Sequence, residues 1–370
     1  MMTPALHSRA QLEVDLAALV RNARACAAHA ARPVLPMIKA DAYGLGAVAC
    51  ARALEVVEPW AYGVATVSEG EELRAAGITR RILIFTPLTP ADLARAHHAR
   101  LTPTLGSATA IADWRAIGGG AWHLAIETGM ARAGVRWDEL ATLPTDALAS
   151  LEGAFTHFHS AERPDGSREL QETRFREALA ALPSRPTVLH AENSAGLARR
   201  APSEWDVVRP GVFLYGVGSG DGAALTPEPV AHLRAPIVEL HTLRAGETVS
   251  YDATWRAPID GRRIATLAMG YADGYRRALS NRGTALIHGQ PAPIVGLVTM
   301  DMTMVDVTDV TDVTDVADAV GVGTVATVLG RDGSALLTLE EVARTAELSP
   351  YELLTGLRQR ADRVYTGGGA

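Results

Sequence analysis

The chain has 370 residues, of which 48% are hydrophobic and 21% charged, a composition typical of globular proteins that excludes a disordered chain. At about 150 residues per domain, this length indicates two domains or one large barrel with an appendage. The formal net charge of −7 argues against a nucleic-acid or anionic-membrane partner, because both require a basic surface.

Cysteine content and hydropathy indicate where the protein works. Two cysteines, Cys26 and Cys50, are too few for a disulfide framework and favour a reducing compartment. No apolar run of signal-peptide type precedes Arg9, and no apolar stretch reaches the roughly 18 residues that a membrane span needs. We therefore expect a cytoplasmic protein without a membrane partner.

The first 220 or so residues alternate between short apolar runs and segments of helical periodicity. The predicted strands are 34–39, 61–66, 81–86, 101–105, 122–127, 151–158, 187–191 and 207–215. The predicted helices are 47–57, 68–75 with a capping box of Ser68 and Glu71, and 168–182 with an apolar face of Leu170, Phe175, Leu179 and Leu182. About eight alternations predict an α/β fold, an N-terminal (β/α)8 TIM barrel over residues 1–230. A doubly wound open sheet is the alternative, although no strand is followed by a GxGxxG turn.

From residue 231 to residue 370 the strands follow one another without long helices, which predicts a mainly antiparallel β domain. The first ten or so residues of the chain are candidates to join it. The predicted strands are 236–243, 247–251, 263–269, 284–288, 293–298 and 324–329, followed by helices 338–346 and 350–358. The acidic run 305–318 lacks the spacing of a calcium loop, so we predict a surface loop there and no metal site.

Lysine occurs once in the chain, at Lys39, whereas the other 34 of its 35 basic residues are arginine. An arginine neither loses its proton in a protein nor forms an imine, but a primary amine does both. Lys39 also ends the first predicted strand, where barrel enzymes place active residues. The position indicates a Schiff-base lysine, and a lysine retained by chance is the alternative.

A second candidate site lies where Asn193 and Ser194 open a helix after a strand. The free N–H groups of a helix N-terminus suit a phosphate. The same two residues also suit a helix N-cap, and the two interpretations are compatible.

The segment MIKADAYGLG (37–46) resembles the pyridoxal-phosphate attachment segment of the alanine racemase family. Seven further segments resemble those of the family and follow in its order: ETGMARAGV (127–135), THFHSAE (156–162), HAENSAG (190–196), VRPGVFLYG (208–216), GYADGYRR (270–277), TMDM (299–302) and PYELL (350–354). Together the segments are distributed over about 300 residues, so coincidence is implausible.

The resemblance implies an isomerase that interconverts L- and D-alanine and supplies D-alanine for peptidoglycan. Lys39 would hold pyridoxal 5'-phosphate (PLP) as an imine, and Lys39 and Tyr271 would act as bases on opposite faces of the α-carbon. A free phenol is a poor base near neutrality, so the phenol would need a lowered pKa. The resemblance also implies a homodimer with shared active sites, in which Tyr271 and Met300 belong to the partner subunit.

Further residues acquire expected roles from the same resemblance. Arg209 would face the pyridine nitrogen of the cofactor, leaving it unprotonated and suppressing transamination. His157 would link Tyr271 to Arg209, with His190 behind; a lone histidine is more often a core side chain, but two at strand ends favour a functional role. The phosphate ligands would be Tyr43, Asn193 through its backbone region, Ser194, Gly211 and Tyr351. The substrate contacts would be Arg132, Met300 and Asp301.

The chain departs from the family pattern near Arg132. Ala125 stands where many members have a carbamylated lysine, Glu127 replaces the usual aspartate, and Leu297 stands where an arginine is common. The Arg132 guanidinium therefore needs water, Glu127 or a small anion such as chloride as its partner, and we expect the anion. Substrate preference among small amino acids stays open, with a serine racemase as one alternative.

Two other classes share part of this layout. PLP-dependent decarboxylases of basic amino acids have the barrel and the β domain, but a glutamate takes the position of Arg209. A non-enzymatic PLP carrier consists of a single barrel and would lack Tyr271. Both are disfavoured by residues of this chain.

Overall fold

The computed structural model describes residues 9–310, 320–357 and 360–368. The chain divides into two compact units. One unit comprises Leu19–Glu228, and the other contains the described residues up to Ala18 together with those from Pro229 onward. Within the described residues, no helix is both long enough and apolar enough to cross a membrane.

The Leu19–Glu228 unit is built around a closed parallel sheet. Its strands are Tyr62–Val64, Ile82–Ile84, Thr102–Leu105, Trp122–Glu127, Leu151–Phe155 and Val188–His190, each paired in parallel with the next. Two further extended segments join the sheet through single parallel bridges, from Met37 to Gly63 and from Val34 to Val208. The N–H of Asp206 donates to the carbonyl of Leu189 at 2.9 Å and closes the ring. The structure confirms the predicted TIM barrel.

Helices alternate with these strands, as the periodicity predicts. Their bounds are Leu16–Ala30, Ala47–Leu54, Val67–Ala75, Pro90–His98, Ala108–Ala116, Ser167–Ala180 and Ser194–Leu197. The predicted apolar face of 168–182 is partly wrong, because Leu170 is 51% exposed. The buried face of that helix carries Arg168, Gln171 and Glu172 beside Phe175, because these polar groups bond to each other and to neighbouring loops.

Three local predictions in the barrel need correction. Residues 34–39 form isolated bridges rather than a strand, and Lys39 begins the turn Lys39–Tyr43 that follows. Residues 207–215 contain one bridge at Val208 before the 3-10 helix Val212–Tyr215. The capping box that precedes Val67–Ala75 uses Thr66 and Glu69 instead of Ser68 and Glu71, because the helix begins one residue earlier.

In the second unit, the described residues form a nine-stranded, mainly antiparallel sheet, as predicted. Its strands are Gln11–Asp15, Ala231–Leu243, Arg262–Leu267, Thr284–Ile287, Gln290–Pro293, Thr303–Asp306, Val325–Asp332, Ala335–Leu337 and Asp362–Thr366. The long strand Ala231–Leu243 lies at the centre and pairs with three of the others. Gln11–Asp15 pairs antiparallel with Ala231–Leu243 and parallel with Asp362–Thr366. A separate ribbon pairs Thr248–Val249 with Trp255–Arg256, and the helices are Leu339–Thr345 and Pro350–Gly356.

Two predictions in this unit are wrong in detail. The strand predicted at 293–298 is Gln290–Pro293, which forms a hairpin with Thr284–Ile287, and only Ile294 bridges onward to Val305. The acidic run 305–318 begins inside the strand Thr303–Asp306, because Val305 is buried and pairs with Ala265. Residues 311–318 of that run lie outside the described residues, as does residue 358 of the predicted last helix.

Candidate active site

Lys39 opens a tight turn at the carboxyl end of the first barrel segment. Ala40, Asp41 and Ala42 have φ angles of 53°, 57° and 53°, in the left-handed region that non-glycine residues rarely adopt. Such strain persists only where the surroundings hold it. Here the carboxylate of Glu69 accepts from the N–H of Ala40 at 2.7 Å, and that of Asp41 accepts from the N–H of Ala47 at 2.8 Å.

The amine of Lys39 lies among cationic neighbours. Burial lowers its pKa below the usual value, and the positive charge of Arg132 lowers it further. The carboxylate of Glu69 opposes this shift, whereas Arg209 adds to it. A lysine with a lowered pKa holds more neutral amine near pH 7, which both imine formation and proton abstraction require.

The Arg209 guanidinium is 3% exposed and is fixed by neutral acceptors. Its Nη1 donates to the Nδ1 of His190 at 2.9 Å and to the carbonyl of the same residue at 2.6 Å. Its Nη2 donates to the carbonyls of Thr156 and Ala191 at 2.9 and 3.1 Å. Among the described residues, no carboxylate forms an ion pair with it, and burial lowers its pKa, which the more distant charge of Glu192 raises in part.

His157 follows the strand Leu151–Phe155 and belongs to the same group of residues. Burial, followed by the charges of Arg209, Arg132 and Lys39, lowers the pKa of His157 to about 3. The ring is therefore neutral at physiological pH. The side-chain partner of Arg209 is His190 rather than His157, which differs from the expected order of the chain.

The predicted phosphate site brings together Asn193, Ser194, Gly211 and Tyr43. The Oδ1 of Asn193 accepts from the N–H of Gly196 at 3.0 Å and caps the short helix Ser194–Leu197. The Oγ of Ser194 accepts from the N–H of Gly211 at 2.9 Å. A Cβ added at Gly211 would lie only 2.6 Å from the hydroxyl oxygen of Tyr43, so only glycine lets these groups meet. This cradle of hydroxyls and N–H groups beside a lysine and a buried arginine fits a phosphorylated aldehyde such as PLP.

The Glu127 carboxylate bonds to the backbone beside Arg132. It accepts from the backbone N–H groups of Gly129 and Arg132, which shapes the turn after the strand Trp122–Glu127. Ala125 is 7% exposed in that strand. These bonds favour water or a small anion over Glu127 as the partner of the guanidinium, and the anion stays our prediction.

The remaining predicted site residues lie in the other unit, around the loops 270–274 and 299–302. The N–H of Tyr271 donates to the carbonyl of Thr299 at 2.9 Å, which joins the two loops. Arg360 donates to the carboxylates of Asp273 and Asp301, both at 2.8 Å. The side chains of Tyr271, Met300 and Tyr351 are 40, 52 and 50% exposed. Arg360 and Asp273 thus hold Tyr271 and Met300 in place with their side chains accessible.

The roles of several supporting residues were not predicted from the sequence. These residues are Glu69, which holds the Lys39 turn, Asp273 and Arg360, and the buried His123 with its neighbour Glu152. A polar residue inside an apolar strand was the available signal for His123. Within the described residues, no three His, Cys, Asp or Glu side chains are grouped to hold a metal ion.

The fold is that of a two-unit barrel protein, with a lysine and a group of hydroxyl side chains at the carboxyl ends of the barrel strands. The sequence profile of the alanine racemase N-terminal domain matches residues 14–219, and that of the alanine racemase C-terminal domain matches residues 230–365. The chain belongs to the alanine racemase family.

Individual relatives agree with this assignment. An alanine racemase of Sorangium cellulosum is 36% identical over 377 residues, covering 95% of this chain and 98% of the relative. The crystal structure of alanine racemase from the D-cycloserine producer Streptomyces lavendulae superposes with a TM-score of 0.88 at 32% identity, covering 98% of both chains. A Bartonella henselae alanine racemase with covalently bound pyridoxal phosphate has a TM-score of 0.85 at 28% identity, covering 97% of this chain and all of that one.

Proposed function

We propose that this chain is a PLP-dependent alanine racemase that interconverts L- and D-alanine and supplies D-alanine as a cell-wall precursor. The observation that carries the proposal is the position of its single lysine. Lys39 is held by a strained turn at the mouth of the barrel, where burial and then the charge of Arg132 lower its pKa. Family membership over nearly the whole chain supports the same activity.

The residues that would hold PLP are those of the cradle. Lys39 would bind its carbonyl carbon, Tyr43, Ser194, Gly211 and the N–H groups near Asn193 would bind its phosphate, and Arg209 would donate to its ring nitrogen. Tyr351 is a further phosphate ligand by resemblance. The bound cofactor supplies a ring that acidifies the hydrogen on the α-carbon of alanine.

Each protein group then has one task. Lys39, with its lowered pKa, exchanges a proton at one face of the α-carbon, and Tyr271 exchanges one at the other. Arg132 binds the substrate carboxylate, because a guanidinium pairs well with carboxylate oxygens. His157 is neutral at working pH, so its ring can accept a hydrogen bond as well as donate one.

The active site takes residues from two subunits of a homodimer. Tyr271, Met300 and Asp301 of one subunit serve the Lys39 of its partner. The exposure of the Tyr271 and Met300 side chains supports this arrangement, because large apolar groups at a surface indicate a contact.

The proposal is tested with the purified chain loaded with PLP. We expect visible absorbance that borohydride reduction abolishes, label on the peptide containing Lys39, and conversion of L-alanine to D-alanine. Lys39→Arg should lose the absorbance and the activity and keep the far-ultraviolet circular dichroism of the native chain, because arginine forms no imine. Full activity of that variant would contradict the proposal. Parallel assays with L-serine decide between an alanine-selective and a broader racemase.

A further inference from the structure

A line of buried polar side chains runs from Arg209 through the interior of the barrel. The Nδ1 of His190 accepts from Arg209 at 2.9 Å, and its Nε2 lies 2.7 Å from the Nδ1 of His123. The Nε2 of His123 lies 3.5 Å from the carboxylate of Glu152. We call Glu152, His123 and His190 the histidine chain.

The histidine chain connects opposite ends of the barrel. Arg209 and His190 lie where strands end, whereas Glu152 lies at the start of the strand Leu151–Phe155. Arg81, which precedes the strand Ile82–Ile84, donates to the outer oxygen of Glu152 and packs on the Trp60 ring at 4.8 Å. Both histidine rings are fully buried.

The barrel is shaped to hold these rings. Gly153 pairs with His123 across the sheet, and a Cβ at Gly153 would lie 2.4 Å from the His123 ring. Phe155 stacks on His190 with a centroid distance of 5.1 Å and an interplanar angle of 3°. The histidine chain is thus packed tightly into the core, which holds each ring in one orientation.

The donors and acceptors fix the protons along this line. Arginine only donates, so the Nδ1 of His190 must be without a proton. A neutral His190 then carries its proton on Nε2 and donates it to the Nδ1 of His123. His123 in turn carries its proton on Nε2, 3.5 Å from the Oε2 of Glu152, a distance at which the carboxylate attracts the N–H without a hydrogen bond of ordinary geometry. Burial lowers the pKa of both rings, in agreement with the neutral forms.

We propose that Glu152 and His123 are positioning residues for Arg209, which fix the tautomer of His190 so that it presents a bare Nδ1 to the guanidinium. From the far end of the barrel, the carboxylate of Glu152 sets the direction in which each histidine of the histidine chain donates its proton. Two neutral rings transmit that direction without bringing a negative charge to Arg209. The guanidinium keeps its positive charge and a fixed orientation for the ring nitrogen of the cofactor. This inference rests on the proposed function, which gives Arg209 that task.

Replacing Glu152 with glutamine removes the preference of His123 for a proton on Nε2. An amide both donates and accepts, so His123 can move its proton to Nδ1 and donate it to His190. His190 would then carry its proton on Nδ1 and direct it at the donors of Arg209. The guanidinium loses its acceptor and its orientation in that fraction of molecules.

The matched control is Glu55→Gln. Glu55 is also a barrel carboxylate, which accepts from Arg80 at 2.7 Å and from the buried ring hydroxyl of Tyr62 at 2.9 Å. Glu55 therefore reproduces the pairing of Glu152 with an arginine and an aromatic ring. It takes no part in the histidine chain.

The tautomers are read by nitrogen NMR of holoenzyme labelled with 15N-histidine, with His123→Gln used for assignment. We expect His123 and His190 of the native protein to be neutral with protons on Nε2, and Glu152→Gln to raise the fraction protonated on Nδ1. The Glu55→Gln spectrum should match the native one. A native His190 with a proton on Nδ1 would overturn the inference without any variant being needed.

Kinetics and absorbance give the second readout. We expect Glu152→Gln to lower kcat roughly tenfold, with a shifted visible band of the bound cofactor and a KM for alanine within about twofold of native. Glu55→Gln should change neither quantity. Equal kcat and equal spectra for the two variants would overturn the inference. An inactive native chain would instead contradict the proposed function, while the NMR result on the tautomers would still stand.

Discussion

Arg132 has two effects at the site, one on the substrate and one on Lys39. It is the expected partner of the substrate carboxylate, and its charge lowers the pKa of the lysine. Removing that charge separates the two effects, because the pKa of the amine then rises towards its ordinary value. Lys39 is the only lysine in the chain, so an amine reagent reports on it without interference from other side chains.

We therefore predict that Arg132→Met raises the Lys39 pKa. At a pH between the two pKa values, less of the amine is neutral in the variant, so it reacts more slowly. The measurement is the rate of labelling of Lys39 by trinitrobenzenesulfonate as a function of pH in cofactor-free protein, followed by mass spectrometry of the peptide. Arg115→Met, which removes a surface guanidinium paired with Asp146, serves as the control. A midpoint that stays unchanged in Arg132→Met counts against the electrostatic account.

A second prediction about a single residue concerns Tyr271. We expect Tyr271→Phe to make the enzyme asymmetric, because one of the two bases is lost. Lys39 should continue to exchange the α-hydrogen of D-alanine with solvent, while exchange from L-alanine falls by about 10²-fold or more. Each enantiomer is incubated in deuterated water and followed by proton NMR. Tyr251→Phe, at another exposed tyrosine of the same unit, should behave as native. Equal residual exchange from both enantiomers of alanine in Tyr271→Phe would contradict the two-base assignment.

Single residues were predictable where their chemistry is rare in the chain. Lys39 stands out because every other basic residue is arginine, and its position after an apolar run pointed to the barrel mouth. The histidine chain could not be predicted in the same way. His123 and Glu152 are 29 residues apart and meet only because the strands Trp122–Glu127 and Leu151–Phe155 pair in the sheet. That pairing depends on the whole barrel.

Among the elements, the helix Val67–Ala75 has a second task besides its place in the barrel. The carboxylate of Glu69 accepts from the N–H groups of Ala65 and Thr66, as in an ordinary capping box. It also accepts from the N–H of Ala40 and so fastens the strained Lys39 turn to the start of the helix. In the capping box at the helix Leu339–Thr345, by contrast, Glu341 accepts from the N–H and the hydroxyl of Thr338.

This difference predicts unequal costs for the same substitution. Glu341→Ala should lower the free energy of unfolding by roughly 1 kcal/mol, the usual value for a cap. Glu69→Ala should cost about 2 kcal/mol, since two more backbone N–H groups, those of Ala40 and Ala65, lose their acceptor, and should also speed the loss of PLP. Urea titration followed by circular dichroism gives the first quantity, and gel filtration with absorbance gives the second. Equal losses of stability, with PLP retained equally by both variants, would show that Glu69 only caps its helix.

Periodicity predicted the existence of most barrel elements and misplaced several boundaries. Residues 34–39 are apolar enough for a strand, but the N–H groups of Leu35 and Met37 donate to the closing segment near Val208 and Pro210, and the chain then turns sharply. The box at Thr66 rather than Ser68 reflects a choice between two adjacent Ser/Thr–Glu pairs. Glu69 of the observed pair also accepts from the N–H groups of Ala65 and Ala40, the second of which lies 29 positions earlier in the chain.

For the whole molecule, an active site shared between subunits predicts that a mixture of two inactive variants regains activity. Subunits carrying Lys39→Ala and subunits carrying Tyr271→Ala should each be inactive when pure. After subunit exchange, random pairing makes half of the dimers mixed, and each mixed dimer has one complete site, so activity should return to about a quarter of native. Racemisation is followed before and after mixing at equal protein concentration. A mixture that stays inactive despite proven exchange would place Lys39 and Tyr271 of one chain in the same site.

The architecture of the whole chain was predictable by counting alternations, and the start of the chain was an expected candidate for the β domain, whereas the pairing of its strand was not predictable. Eight strand-like runs with intervening helices specify a barrel, since few other folds repeat that unit so often. The strand Gln11–Asp15 has too few residues to signal its partners. Those partners, Ala231–Leu243 and Asp362–Thr366, follow the entire barrel in sequence.

That pairing has a consequence for synthesis on the ribosome. Glu13 and Thr366, which contact each other across neighbouring strands, are separated by 353 positions in the chain. Since a chain emerges from its N-terminus, Leu19–Glu228 is complete while the first strand still lacks both neighbours. The barrel can fold during translation, but the sheet has to wait for the last strand to leave the exit tunnel. In the meantime Gln11–Asp15 is an exposed strand with unsatisfied edges, where a chaperone would be most useful.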